Sequence, residues 1–125
     1  MITTSDPLGF GLVCPFRYTS ERDFATAAGK PLVGFDLEEL LGTVPGEIRW
    51  RPSFGTNVSK LRMRPNTGAL SELARIEVQR AVAKLEPRIA VADVSATRDA
   101  KNMTTIKVAY KVGVERETRT TSTTI

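Results

Sequence analysis

One change of hydrophobic period, from helical spacing to alternation, organises the second half of the chain. Leu70, Leu73, Ala74, Val78, Ala81, Val82 and Leu85 recur at helical spacing, with Glu72, Arg75, Gln79 and Lys84 between them. This pattern predicts one long amphipathic helix, opened by Asn66-Thr67-Gly68. Pro87 ends it, because the residue before a proline, here Glu86, is pushed out of the α region. The period then becomes two. Ile89–Ala96 reads as an apolar strand, Arg98–Asn102 as a polar loop, and Ile106, Val108, Tyr110, Val112 and Val114 as the apolar face of a second strand. That face is expected to pack on the helix, and Lys107 and Lys111 are expected to keep the sheet edge from pairing with a second copy.

The first half is more broken. Gly9, Gly11, Pro15, Gly29 and Pro31 make residues 1–31 mostly loop, with short extended pieces around Phe10–Phe16 and Phe24–Ala27. Leu32, Phe35 and the run Asp36-Leu37-Glu38-Glu39-Leu40-Leu41 predict a helix with Gly42 at its C-cap. Val44-Pro45-Gly46 is a turn. Helices first and an antiparallel sheet last predict an α+β fold. The threonine-rich end, Thr118–Ile125, reads either as an edge strand or as a frayed tail that orders on a partner. Residues 1–8 and 118–125 are therefore the segments expected to be flexible around a single domain spanning 1–125.

Composition narrows the chemistry. With 125 residues, 41% hydrophobic and 26% charged, the chain supports one core, burying about two-thirds of its unfolded surface. It has no histidine and a single cysteine, Cys14. Those counts remove Ser-His and Cys-His nucleophile pairs, an internal disulfide and thiolate metal clusters. No cofactor or metal site is expected. A net charge of +4 permits an acidic partner without demanding nucleic acid. The start lacks a secretory pattern and no apolar run approaches a membrane span, which points to cytoplasmic synthesis.

Candidate sites are weighed against that background. Asp36, Glu38, Glu39 and Glu86 are the carboxylates a glycosidic hydrolase could pair, but Asp36 and Glu39 read as a solvated helix face and no catalytic site follows. Gly9-Phe10-Gly11 begins like a dinucleotide loop, then fails at Cys14 and Pro15. Arg49, Arg51, Lys60, Arg62 and Arg64 form an acid-free basic stretch that includes Trp50 and Phe54. Rings among cations suit single-stranded nucleic acid, and a basic nucleic-acid-binding module is the alternative reading. Core packing of Trp50 and Phe54, with arginines facing another protein, is preferred. Glu86-Pro87-Arg88 makes a rigid charged corner between helix and sheet.

In order, Phe24-Ala25-Thr26-Ala27 with Gly29, the run from Asp36 to Thr43, Gly46-Glu47, Trp50-Arg51-Pro52 and Phe54-Gly55 resemble one family. Leu61-Arg62 with Arg64, Asn66-Thr67, Glu72-Leu73-Ala74-Arg75 and Glu86-Pro87-Arg88 continue the likeness. Together they are similar to the baseplate wedge proteins of contractile tails, the phage gene-product-W-like family, which includes the TssE-type component of type VI secretion baseplates. The resemblance runs from about residue 9 to about residue 114. It implies a structural, non-enzymatic protein that initiates the sheath, offering strand edges that imitate strand exchange between sheath subunits. Implied partners are the sheath protein, larger wedge proteins and hub or tube proteins, with six copies per baseplate of a phage tail or injection particle, no nucleic acid and no membrane span. Glu86, Pro87 and Arg88 are implied to contact the wedge bundle. Arg49, Trp50, Arg51, Arg62 and Arg64 complete the expected partner-binding set. The threonine-rich tail is expected to gain order in the assembled particle.

Overall fold

The computed structural model describes residues 7–114 and 116–125. The flexibility expected at the amino terminus falls largely outside them, on residues 1–6.

Two short strands, β1 (Phe10–Leu12) and β2 (Thr26–Ala28), pair antiparallel with Gly11 opposite Ala27. Gly29, at φ 66°, turns the chain into helix α1 (Lys30–Gly42). Pro31 sits in the first turn, where its missing N–H costs nothing. Val33, Leu37, Leu40 and Leu41 point into the main core, while Leu32 packs with Val13 and Ala27 in a small satellite core. Gly42 is not the C-cap that was expected. It is the last helical residue, and Thr43 leaves the helix in an extended conformation, its hydroxyl donating to the Glu39 carbonyl at 2.7 Å. A side-chain cap at the next residue makes a left-handed glycine unnecessary.

A loop then leads through a 3-10 helix (Val58–Met63) to helix α2 (Gly68–Leu85). Leu70, Ala74, Val78, Ala81 and Val82 are buried along one stripe. Leu73, placed on that stripe by spacing, is instead 41% exposed, and Ile76 is 55% exposed. Both lie on the flank of α2 beside the 3-10 helix. Glu86 closes α2 with φ −136° and ψ 78°, the departure from helix that Pro87 imposes.

Strands β3 (Ile89–Arg98), β4 (Thr104–Val112) and β5 (Arg119–Thr124) form an antiparallel sheet in that order. The fold is α+β. A bulge between Val91 and Asp93 leaves Ala92 without a partner on β4. The extra residue switches the inward face of β3 from Ile89 and Val91 to Val94 and Ala96. β4 alternates cleanly, with Thr104, Ile106, Val108, Tyr110 and Val112 buried. It stops earlier than its pattern suggested, because Gly113 at φ 61° turns the chain and leaves Val114 fully exposed. Helix α2 lies over β3 and α1 over β5, so the apolar face of β4 fills the core between them rather than packing on α2 alone. As the central strand, β4 has both edges bonded. Lys107 and Lys111 therefore guard no edge, contrary to the sequence expectation. The threonine-rich end is the edge strand, with Thr121 buried opposite Val108.

Two internal contacts yield tests. Gly55 sits at φ 122°, and a Cβ there would lie 2.6 Å from the Thr43 carbonyl oxygen. Gly55→Ala is therefore expected to cost about 2–4 kcal/mol in denaturant unfolding, against about 1 kcal/mol for Gly46→Ala, whose surroundings are open. Equal costs at the two positions would contradict the close approach.

Glu77 fastens the 3-10 helix to α2 by accepting from the Asn57 backbone at 3.0 Å and side chain at 3.2 Å, with Arg80 at 2.8 Å. Burial pushes its pKa up, but these donors together outweigh burial and hold it below the ordinary 4.5. A depressed folded-state pKa gives stability that is present above the unfolded value and lost as pH falls through the folded one. Glu77→Gln should cost about 1 kcal/mol at pH 7, and the gap from wild type should close as unfolding is measured at progressively lower pH below about 4.5. A gap that persisted unchanged at acid pH would contradict this assignment.

Candidate functional site

Glu86, Pro87 and Arg88 join α2 to β3. Arg88 donates from Nε to Glu86 Oε1 and from Nη2 to Glu86 Oε2, both at 2.6 Å. Nη2 also donates to Asp36 Oδ2, and Nη1 to the Leu8 carbonyl, again at 2.6 Å. One guanidinium thus ties the amino-terminal segment, α1 and the end of α2 to the first strand of the sheet. Glu86 is only 8% exposed. Its hydrogen bonds, opposed by partial burial and reinforced by Asp36, push the Arg88 pKa above its ordinary value. The resemblance implies that Arg88, within the Glu86-Pro87-Arg88 corner, contacts the wedge bundle. In the fold its donors are turned onto its own chain, because the bend at Pro87 brings the guanidinium back against Asp36 in the middle of α1.

The corner opens onto a groove of about 290 Å³ lined by Asp36, Glu39, Arg51, Phe54, Glu86 and Arg88. Arg51 lies over the Phe54 ring at 4.5 Å, a cation–π contact that holds the loop against the corner. Phe54 packs against the main core as expected, but Trp50 does not: it is 84% exposed. Pro87 and Arg49 are also exposed. The candidate basic residues therefore do not form one patch. Arg51 joins the corner, Arg49 and Trp50 project from its loop, and Arg62 and Arg64 belong to the 3-10 helix and its exit.

Arg98 was read only as a loop residue. It is the last residue of β3, and its guanidinium donates to the carbonyls of Arg64 at 2.9 Å and Arg62 at 3.0 Å and to Thr104 Oγ1 at 2.9 Å. A cation on the closing carbonyls of a helix satisfies groups that the helix itself cannot. Its inward direction follows from the bulge at Ala92, for which the sequence carried no signal. A second unanticipated feature is an exposed aromatic group, in which Tyr18 stacks on Phe24 at 5.0 Å and Phe16 meets Phe24 edge-on at 6.4 Å.

The corner is poorly suited to acid catalysis. Both oxygens of Glu86 accept from Arg88 and Asp36 accepts from the same guanidinium, so two of the three carboxylates lining the groove are committed to one cation instead of standing free as an acid and base pair. Among the described residues, no group of His, Cys, Asp and Glu could hold a metal ion, and no helix is long and apolar enough to cross a membrane.

Solved structures share the fold at low sequence identity. A Geobacter sulfurreducens protein provisionally named a tail lysozyme matches at 23% identity and TM-score 0.70, over 79% of this chain and 91% of that one. A chain of the anti-feeding prophage baseplate matches at 22% identity and TM-score 0.69, over 94% of this chain and 84% of the other. A chain of the type VI secretion baseplate complex matches at 16% identity and TM-score 0.60, over 76% and 90%. No curated protein sequence matches the chain. The family model for baseplate wedge protein gp25 matches residues 28–117, well over half of the chain and nearly all of the α+β core, so this chain belongs to the baseplate wedge protein gp25 family.

Proposed function

We propose that this protein is a non-enzymatic baseplate component that joins the wedge to the first ring of sheath subunits and starts sheath assembly by strand addition. Family membership supports the baseplate role. The observation that carries the sheath role is the outer edge of β5. Thr104 and Ile125 exchange both backbone hydrogen bonds, N–H to O at 3.2 and 2.8 Å. Bonded and non-bonded pairs alternate in an antiparallel ladder, so Arg119, Thr121 and Thr123 bond inward to β4. Thr120, Ser122 and Thr124 then aim their N–H and C=O groups away from the sheet. Among the described residues nothing pairs with that edge. The opposite edge, on β3, is interrupted by its bulge, a feature that discourages pairing. Strand addition relies on main-chain hydrogen bonds and tolerates sequence differences between partners.

The larger wedge proteins are assigned to the corner groove, through exposed Pro87 and Arg51 around the Glu86–Arg88 pair. Arg88 serves this contact by holding the corner in shape. Six copies per baseplate follow from the family resemblance, and the six-fold symmetrised baseplate of the anti-feeding prophage supports that number. The provisional tail-lysozyme name of one structural neighbour does not transfer, given how Glu86 is engaged. A nucleic-acid role is disfavoured because Phe54 is already occupied by Arg51, which leaves Trp50 without a second ring in the basic loop.

A paired experiment tests the assignment. Ser122→Pro removes one outward N–H and leaves the bonds to β4 in place, a substitution edge strands tolerate. It should give a folded protein that enters the wedge but initiates few sheaths, counted by electron microscopy of assembled particles. Arg51→Glu should fold yet fail to enter the wedge. Sheaths of normal frequency on Ser122→Pro baseplates would overturn the β5 assignment, and normal wedge incorporation of Arg51→Glu would overturn the groove assignment.

A further inference from the structure

A second groove, sharing no lining residue with the corner groove, runs between the 3-10 helix and α2. Its apolar lining is Leu61, Leu73 and Ile76, and its volume is about 230 Å³. Leu73 and Ile76 are three residues apart on α2, which sets them on one stripe. They are 41% and 55% exposed on a chain whose other α2 aliphatics are largely buried. Lys60 and Arg64 line the same groove, and neither has an ion-pair partner among the described residues. The acid present, Glu77, is already engaged by Asn57 and Arg80. The groove therefore offers an aliphatic floor beside uncompensated positive charge.

We propose that this groove docks an acidic amphipathic helix of another polypeptide, with aliphatic residues spaced one turn apart and Asp or Glu on the flanks. Charge complementarity selects the acid, and the floor selects the aliphatic anchors. Both walls are helical, so no strand edge borders the groove for an extended peptide to join. A third helix can instead seat its ridge between two others at about 8–10 Å. The volume falls below the roughly 300–1,000 Å³ of small-molecule pockets. The lining holds no aromatic ring on which a base could stack. Arg98, clamping the carbonyls at the exit of the 3-10 helix, keeps one wall in place before anything binds, which reduces the ordering cost of docking. This surface is distinct from the corner groove and the β5 edge, and the inference stands without the sheath assignment.

The test uses the purified full chain and a labelled alanine-based helical peptide of about 18 residues, carrying leucines at i, i+3 and i+7 flanked by glutamates. Comparison probes are the same peptide with lysines for glutamates and a thymidine oligonucleotide. The acidic peptide should bind, and Leu73→Ser/Ile76→Ser and Lys60→Glu/Arg64→Glu should each weaken it by at least about tenfold, or 1.4 kcal/mol. Lys101→Glu/Lys107→Glu changes net charge equally and lies outside the groove, so it should leave binding unchanged. Circular dichroism and unfolding midpoints establish that each variant is folded. No binding, or binding insensitive to Leu73 and Ile76, would overturn the proposal. So would tighter binding of the oligonucleotide through Lys60 and Arg64, or self-association of the protein that is abolished by Leu73→Ser/Ile76→Ser.

Discussion

Arg88 carries the interaction on which the arrangement of this small domain depends. Its guanidinium reaches the Leu8 carbonyl, Asp36 and both oxygens of Glu86, joining segments that the chain separates by dozens of residues. Partial exposure screens the Asp36 arm, whose side chain is 35% exposed, more than the Glu86 arm at 10%. Removing the arginine would leave a nearly buried carboxylate without its partner, a loss on the order of 2–3 kcal/mol. A domain of this size is stable by only about 5–15 kcal/mol in all. The pair is thus a large share of the margin, and it also fixes the direction in which the chain leaves α2 for the sheet.

Helix α1 extends that constraint across the molecule. Asp36 holds the corner from one side of the helix. Glu38, two residues later and about 200° around the axis, accepts from the Thr121 hydroxyl of β5 at 3.0 Å. The proposed wedge contact and the proposed sheath edge are therefore referenced to the same rigid element. Under the proposed function, fixing that geometry before assembly serves both contacts, since ordering it later would weaken each of them.

Much of this was legible in residue order, and what was missed has identifiable causes. The long helix, its stop at Pro87 and the alternation of β4 follow from period and proline chemistry, which are local. The role of Leu73 was misread because a helical stripe indicates a face but not where the neighbouring element ends. Placing Lys107 and Lys111 at an edge failed because strand order is a long-range property, and the pattern of β4 is the same at the centre of a sheet as at its rim. For the corner, Glu86-Pro87-Arg88 stood out, whereas its link to Asp36 across 52 residues had no local signature. Arg98 was hidden by the bulge at Ala92, which reverses the facing of every later residue in β3.

The most direct test of the central claim is a double-mutant cycle on the link between α1 and the corner. Asp36→Ala, Arg88→Ala and the double variant would be compared with wild type by denaturant unfolding at neutral pH and low salt. If Arg88 ties α1 to the start of the sheet, the two changes will be non-additive, with a coupling of about 1 kcal/mol given their partial exposure. Costs that simply add, within about 0.3 kcal/mol, would contradict the account and reduce Asp36 to an independent surface carboxylate.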